Sequence, residues 1–139
     1  MRAVTKLALS LAAGAALFAG ASAASAASAV LNPASPLHYF GPCPGTIKFT
    51  GWITSTTPGV VKYRWFRSDG AMGPIQSLAF GPGVPPRQPI STTWTLGGLP
   101  ALPSYVGWEA VRILSPLPGG VSNKAPFTLK CAQTPLTHG

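Results

Sequence analysis

Residues 60–70 read Val-Val-Lys-Tyr-Arg-Trp-Phe-Arg-Ser-Asp-Gly, and the alternation in this stretch decides the fold. β-Branched and aromatic side chains suit a pleated, half-buried surface. A period of two puts Val61, Tyr63 and Trp65 on one face and Val60, Lys62, Arg64 and Phe66 on the other. Asp69-Gly70 supplies the turn that ends the strand. A tryptophan in mid-strand plugs the gap between two stacked sheets, so Trp65 is expected at the centre of a small core.

The flanking sequence repeats the pattern. Residues 46–54 place Ile47, Phe49, Gly51 and Ile53 on one face and Lys48, Thr50, Trp52 and Thr54 on the other, and Pro58-Gly59 marks the turn that follows. A shorter strand is expected over 75–80, with Leu78 and Phe80 sharing a face. Four prolines among residues 81–89 withhold ladder donors and keep that connection out of any central strand. Alternation resumes over 90–96, with Ile90, Thr92, Trp94 and Leu96 inward, and a second irregular stretch covers 97–104. The strand over 105–114 is apolar on both faces and is expected to be central. Ala125, Phe127, Leu129 and Cys131 alternate in the last strand. Six strands, with 37–40 as a seventh at an edge, and no helical period define an all-β, two-sheet antiparallel β-sandwich.

Residues 1–29 read as a signal peptide. Arg2 and Lys6 form a basic start, 7–18 is apolar but well short of the roughly 20 residues that span a bilayer, and three Ala-Ser-Ala sites put cleavage within 23–29. A linker is expected over 30–42, the folded domain over 43–131, and a frayed tail over 132–139. Export makes a disulfide between the two cysteines, Cys43 and Cys131, the default. The loop they close spans 89 residues, for which chain entropy allows on the order of 4 kcal/mol. A secreted monomer without membrane insertion is expected.

These residues also carry a resemblance. Phe49-Thr50-Gly51, Tyr63-Arg64-Trp65, Arg67-Ser68-Asp69-Gly70-Ala71, Trp94-Thr95-Leu96, Gly107-Trp108, Ser122-Asn123-Lys124-Ala125 and Phe127-Thr128-Leu129, closed by Cys131, resemble the small secreted immunoglobulin-like modules of bacteria. The likeness covers 43–131 and implies an exported sandwich with no assigned catalytic activity. It departs from antibody-type domains, because the cysteines stand at the ends of the domain and not on the two central strands.

The chain has ten Lys and Arg against two Asp and Glu; loss of the first 29 residues leaves eight against two. Such a balance attracts anionic cell-surface or extracellular polymers, or it serves only to keep a small domain dispersed. No metal or cofactor signature occurs, and nucleic acid is not the expected partner. Trp52 and Phe66 share strand faces with Lys48, Lys62 and Arg64, and these five form the expected binding site. They either present rings beside cations to a glycan or polyanion, or lie under lysine and arginine stems. Trp65, Trp94 and Trp108 are read as core. Two other functions stay open: a protease inhibitor presenting 81–89 or 97–104, and a hydrolase built on Asp69 and Glu109. The inventory is expected to describe a secreted, non-enzymatic binding or structural module.

Overall fold

The computed structural model describes residues 27–97 and 103–132. Nine strands lie in that range: β1 (Ala27–Leu31), β2 (His38–Gly41), β3 (Gly45–Ser55), β4 (Gly59–Arg67), β5 (Gln76–Phe80), β6 (Arg87–Leu96), β7 (Ser104–Ser115), β8 (Gly120–Val121) and β9 (Ala125–Cys131). They form two sheets, one ordered β1-β3-β6 and the other β2-β9-β7-β4-β5, with the short β8 paired to β7. All pairings are antiparallel except that of β2 with β9. The chain is an all-β sandwich, and β7 is central, as its two apolar faces require.

The inward residues are those that the period of two selects. Ile47, Phe49 and Ile53 of β3 are sealed, as are Val61, Tyr63 and Trp65 of β4, Ile90, Trp94 and Leu96 of β6, and Phe127 and Leu129 of β9. Phe127 is the hub: its ring centroid lies 5.7 Å from Phe49, 5.2 Å from Trp94 and 6.1 Å from Tyr105. The edge-to-face contacts with Phe49 and Trp94 add to the burial of each ring. Trp65 is buried in the same core but makes no ring contact with this cluster, so the aromatic hub is Phe127, where the sequence led us to expect Trp65. Trp108 departs further from expectation. It shares parity with Arg112 on β7, faces outward and is only half-buried.

Cys43 and Cys131 are bonded, with their Cα atoms 5.4 Å apart, so the segment entering β3 is tied to the end of β9. Gly97 sits against that bridge at φ +88°, where a Cβ would lie 2.8 Å from Cys43 Sγ. Both the left-handed backbone and the space demand glycine there.

Residues 30–42, expected as a linker, hold the end of β1, a bridge from Ser35 to Lys48, and β2. The reason is packing. Ala27 and Leu31 of β1 are buried beside β3, and Asn123 extends the ladder on the other edge, accepting from Leu31 N–H at 2.8 Å and donating to Leu31 O at 3.1 Å. The amide side chain thereby replaces a neighbouring strand. Most of the expected signal segment and the tail from 133 onward lie outside the described residues.

Truncating Phe127 to Ala should cost about 3–5 kcal/mol, because the facing rings cannot collapse into the space it leaves. Urea unfolding of Phe127→Ala should show the midpoint falling with little change in slope. A midpoint equal to that of the parent would remove Phe127 from the centre of the core.

Candidate functional site

Alternation on β4 sends Trp65 and Arg67 inward and Lys62, Arg64 and Phe66 outward. Its neighbour β7 lies antiparallel in a register that sets Arg64 opposite Arg112 and Phe66 opposite Ala110. The Phe66 ring meets the Trp108 ring edge-on at 5.6 Å. Lys124 Nζ stands 4.4 Å over Trp108, and the Arg112 guanidinium is 5.4 Å from Phe66. Lys130 of β9 extends the same face beside Phe40 of β2, which is 70 % exposed, and Val106 of β7 adds a side chain that is 74 % exposed.

Five cations therefore share one outer face: Lys62, Arg64, Arg112, Lys124 and Lys130. No carboxylate stands among them. Asp69 pairs with Arg67 at the end of β4, and Glu109 points into the sandwich. Like charges directly opposite on neighbouring strands repel. Arg64 is drawn away from Arg112 by donating through Nε and Nη2 to Gly73 O at 3.0 and 2.9 Å. Among the described residues, Arg67–Asp69 is the one salt bridge, so Lys62, Arg112, Lys124 and Lys130 have no acidic partner.

The five expected site residues do not form one site. Lys62, Arg64 and Phe66 stand on this face, whereas Trp52 and Lys48 belong to β3 in the other sheet and face solvent on the opposite side. Even there they are apart, four residues or roughly 13 Å along one strand. Trp52 lies instead beneath Arg87, whose guanidinium is 4.1 Å from the ring. A period of two reports inside from outside on each strand but not which sheet the strand joins. Trp108, Arg112, Lys124 and Lys130 were missing from the expected set. The available signal was parity on β7: Trp108 and Arg112 are four apart and must share a face.

On the inner side, a cleft of about 300 Å³ opens between the sheets, lined by Trp65, Arg67, Met72, Thr92 and Glu109. Burial pushes the Glu109 carboxyl up to about 7; the Arg67 charge works against this rise and the Asp69 charge adds to it. Asp69 does not line the cleft. Partial burial raises its carboxyl, but the Ala71 N–H bond and the Arg67 guanidinium outweigh that and hold it below its usual range. Both of its oxygens are engaged, Oδ1 by Ala71 N–H and Arg67 Nε and Oδ2 by Arg67 Nη2. The pair considered for hydrolysis is thus split between a cleft and a turn.

The proline-rich loop considered as inhibitor bait is tied back onto β3, since Ser55 N–H donates to Pro86 O at 3.0 Å. Residues 98–102 of the second such loop lie outside the described residues. No protein-family model and no curated protein sequence matches the chain. Fold and surface together define a two-sheet β-sandwich with one basic, partly aromatic outer face.

The buried acid carries a pH dependence. A carboxyl that holds its proton to about 7 in the folded chain, against 4.5 ordinarily, stabilises the fold fully below about pH 4.5. That contribution is lost as pH rises through 7. Glu109→Gln should flatten this part of the profile and leave the variant more stable than the parent at pH 8 by on the order of 3 kcal/mol. Thermal melts of both proteins from pH 4 to 9 measure the difference; parallel profiles would show that Glu109 does not titrate in this window.

Proposed function

We propose that the protein is an exported, non-enzymatic binding module whose six-stranded sheet docks on an anionic cell-surface or extracellular polymer. One observation carries the reading: five of the eight Lys and Arg residues that follow residue 29 stand on one sheet face without a carboxylate among them. Clustered charge of one sign raises the local concentration of a polyanion and holds it. The rings on this face act mainly as seats for cations, with Lys124 over Trp108 and Arg112 beside Phe66. Charge, more than stacking on a sugar ring, then sets the affinity. The resemblance to secreted immunoglobulin-like modules agrees with an exported binder of this kind.

Retention of the mature protein on immobilised wall polymers and anionic glycans should fall steeply as salt rises. At about 1 kcal/mol per cation near an anionic surface, Arg112→Gln and Lys124→Gln should each weaken retention about fivefold. Lys48→Gln and Arg87→Gln, on the opposite face, should leave it unchanged. Equal losses from both faces, or retention indifferent to salt, would sink the assignment.

Export adds a second test. Cleavage after Ala29 would cut β1, whereas cleavage after Ala23 or Ala26 leaves Ala27 to pair with Ser55. The mature N-terminus should therefore be Ala24 or Ala27, as read by N-terminal sequencing of the secreted protein. A start at Val30 would show that β1 is dispensable.

A further inference from the structure

The cleft on the inner side of β4 and β7 is separate from the basic outer face and has a chemistry of its own. Trp65, Arg67 and Glu109 form its floor, Thr92 and Thr93 of β6 its far wall, and the turn 71–73 its lip. Glu109 is 2 % exposed and Trp65 is 3 % exposed, yet Glu109 Oε1 and Trp65 Nε1 have no hydrogen-bond partner. Buried polar atoms in native proteins are paired almost without exception, and two unpaired ones bordering one cleft mark a place where a ligand completes the set.

Register fixes their relation. Glu109 lies opposite Arg67 and Val111 lies opposite Trp65, so the indole and the carboxyl are diagonal neighbours on one face. Diagonal neighbours are close enough for long side chains to meet through one small group. The group between them must accept from an indole N–H and offer a hydrogen to a carboxyl. No single sign of charge dominates the cleft: burial favours the neutral form of Glu109, and the Arg67 guanidinium is already engaged by Asp69 and by the Trp94 ring at 4.2 Å, so a neutral group fits best. A neutral amide carries the required acceptor and donor in one plane, and the methyl of an acetyl group suits the apolar wall that Met72 and Ala71 provide.

We propose that this cleft binds a small neutral amide of the acetamido type, its carbonyl accepting from Trp65 Nε1–H and its N–H donating to Glu109. The lip is where it enters. Met72 is 63 % exposed there, and Gly73 leaves the approach open because it has no side chain. An acetamido sugar and an acylated amino acid share this chemistry, and titration separates them.

The probe is the indole N–H resonance of Trp65 in ¹⁵N-labelled protein, assigned by its disappearance in Trp65→Phe. N-acetylglucosamine, N-acetylalanine methylamide and glucose are titrated in turn. A saturable shift with either amide compound and none with glucose is expected, and whichever amide binds tighter identifies the source. Trp65→Phe, followed on the Met72 methyl signal, should weaken that binding about tenfold, the loss of one buried hydrogen bond. Glu109→Leu should weaken it at least as much. The proposal is overturned if neither amide moves the indole resonance, if glucose moves it equally, or if Trp65→Phe binds as tightly as the parent.

Discussion

Phe127, wedged against Phe49 from the three-stranded sheet and against Trp94 and Tyr105, sets the distance between the two layers. Stacked sheets rest about 10 Å apart, a gap that interdigitated rings fill. Where the rings stop and Thr92, Ala71 and Gly73 take over, the same spacing is no longer filled. The cleft follows from that change in side-chain size, and so does the burial of Glu109 at its floor. One packing decision thus governs both the solid part of the core and the open part.

Because a strand exposes alternate residues to opposite environments, β4 and β7 each serve two chemistries within one residue of each other. Arg64 and Phe66 belong to the charged outer surface, while Trp65 and Arg67, their immediate neighbours, belong to the cleft. The turn at 71–73 links the two sides: Gly73 O receives both Arg64 donors from the outside, and Gly73 N–H donates to Trp65 O at 2.9 Å. Arg67 is held by Asp69 on one side and stacks on Trp94 of the opposite sheet on the other. A single short turn and a single arginine thereby define the rim shared by both surfaces.

Much of this was legible in the residues. Alternation named the inward faces of β3, β4, β6 and β9, and the pair of cysteines named the bridge. What alternation does not encode is partnership between strands, so Trp52 and Phe66 looked alike although they face away from each other across the sandwich. β7 is apolar on both sides, which makes Trp108 look like core in the sequence; its position under Lys124 depends on the β7–β9 register, which sets Pro126 opposite Trp108 and Lys124 diagonal to it. β1 escaped notice for a different reason. Its small Ala and Ser residues also fit a protease recognition site, and its second edge is satisfied by Asn123, a residue 92 positions away from Leu31. In the sequence Glu109 stands out only as one of the chain's two carboxylates, paired with Asp69 for hydrolysis; its unpaired Oε1 arises from the three-dimensional arrangement of β4, β6, β7 and the 71–73 turn.

The bridge between Cys43 and Cys131 also has a mechanical meaning. Tension applied to the chain on either side of 43–131 passes through the sulfur–sulfur bond and bypasses the 88-residue separation between the two cysteines. While the bond holds, such a pull can peel only β1, β2 and their connections from their neighbours in the two sheets, and the chain between Cys43 and Cys131 is not extended. Reduction would release about 300 Å of extensible chain at full stretch. In the binding role proposed above, that bond makes the domain an inextensible link.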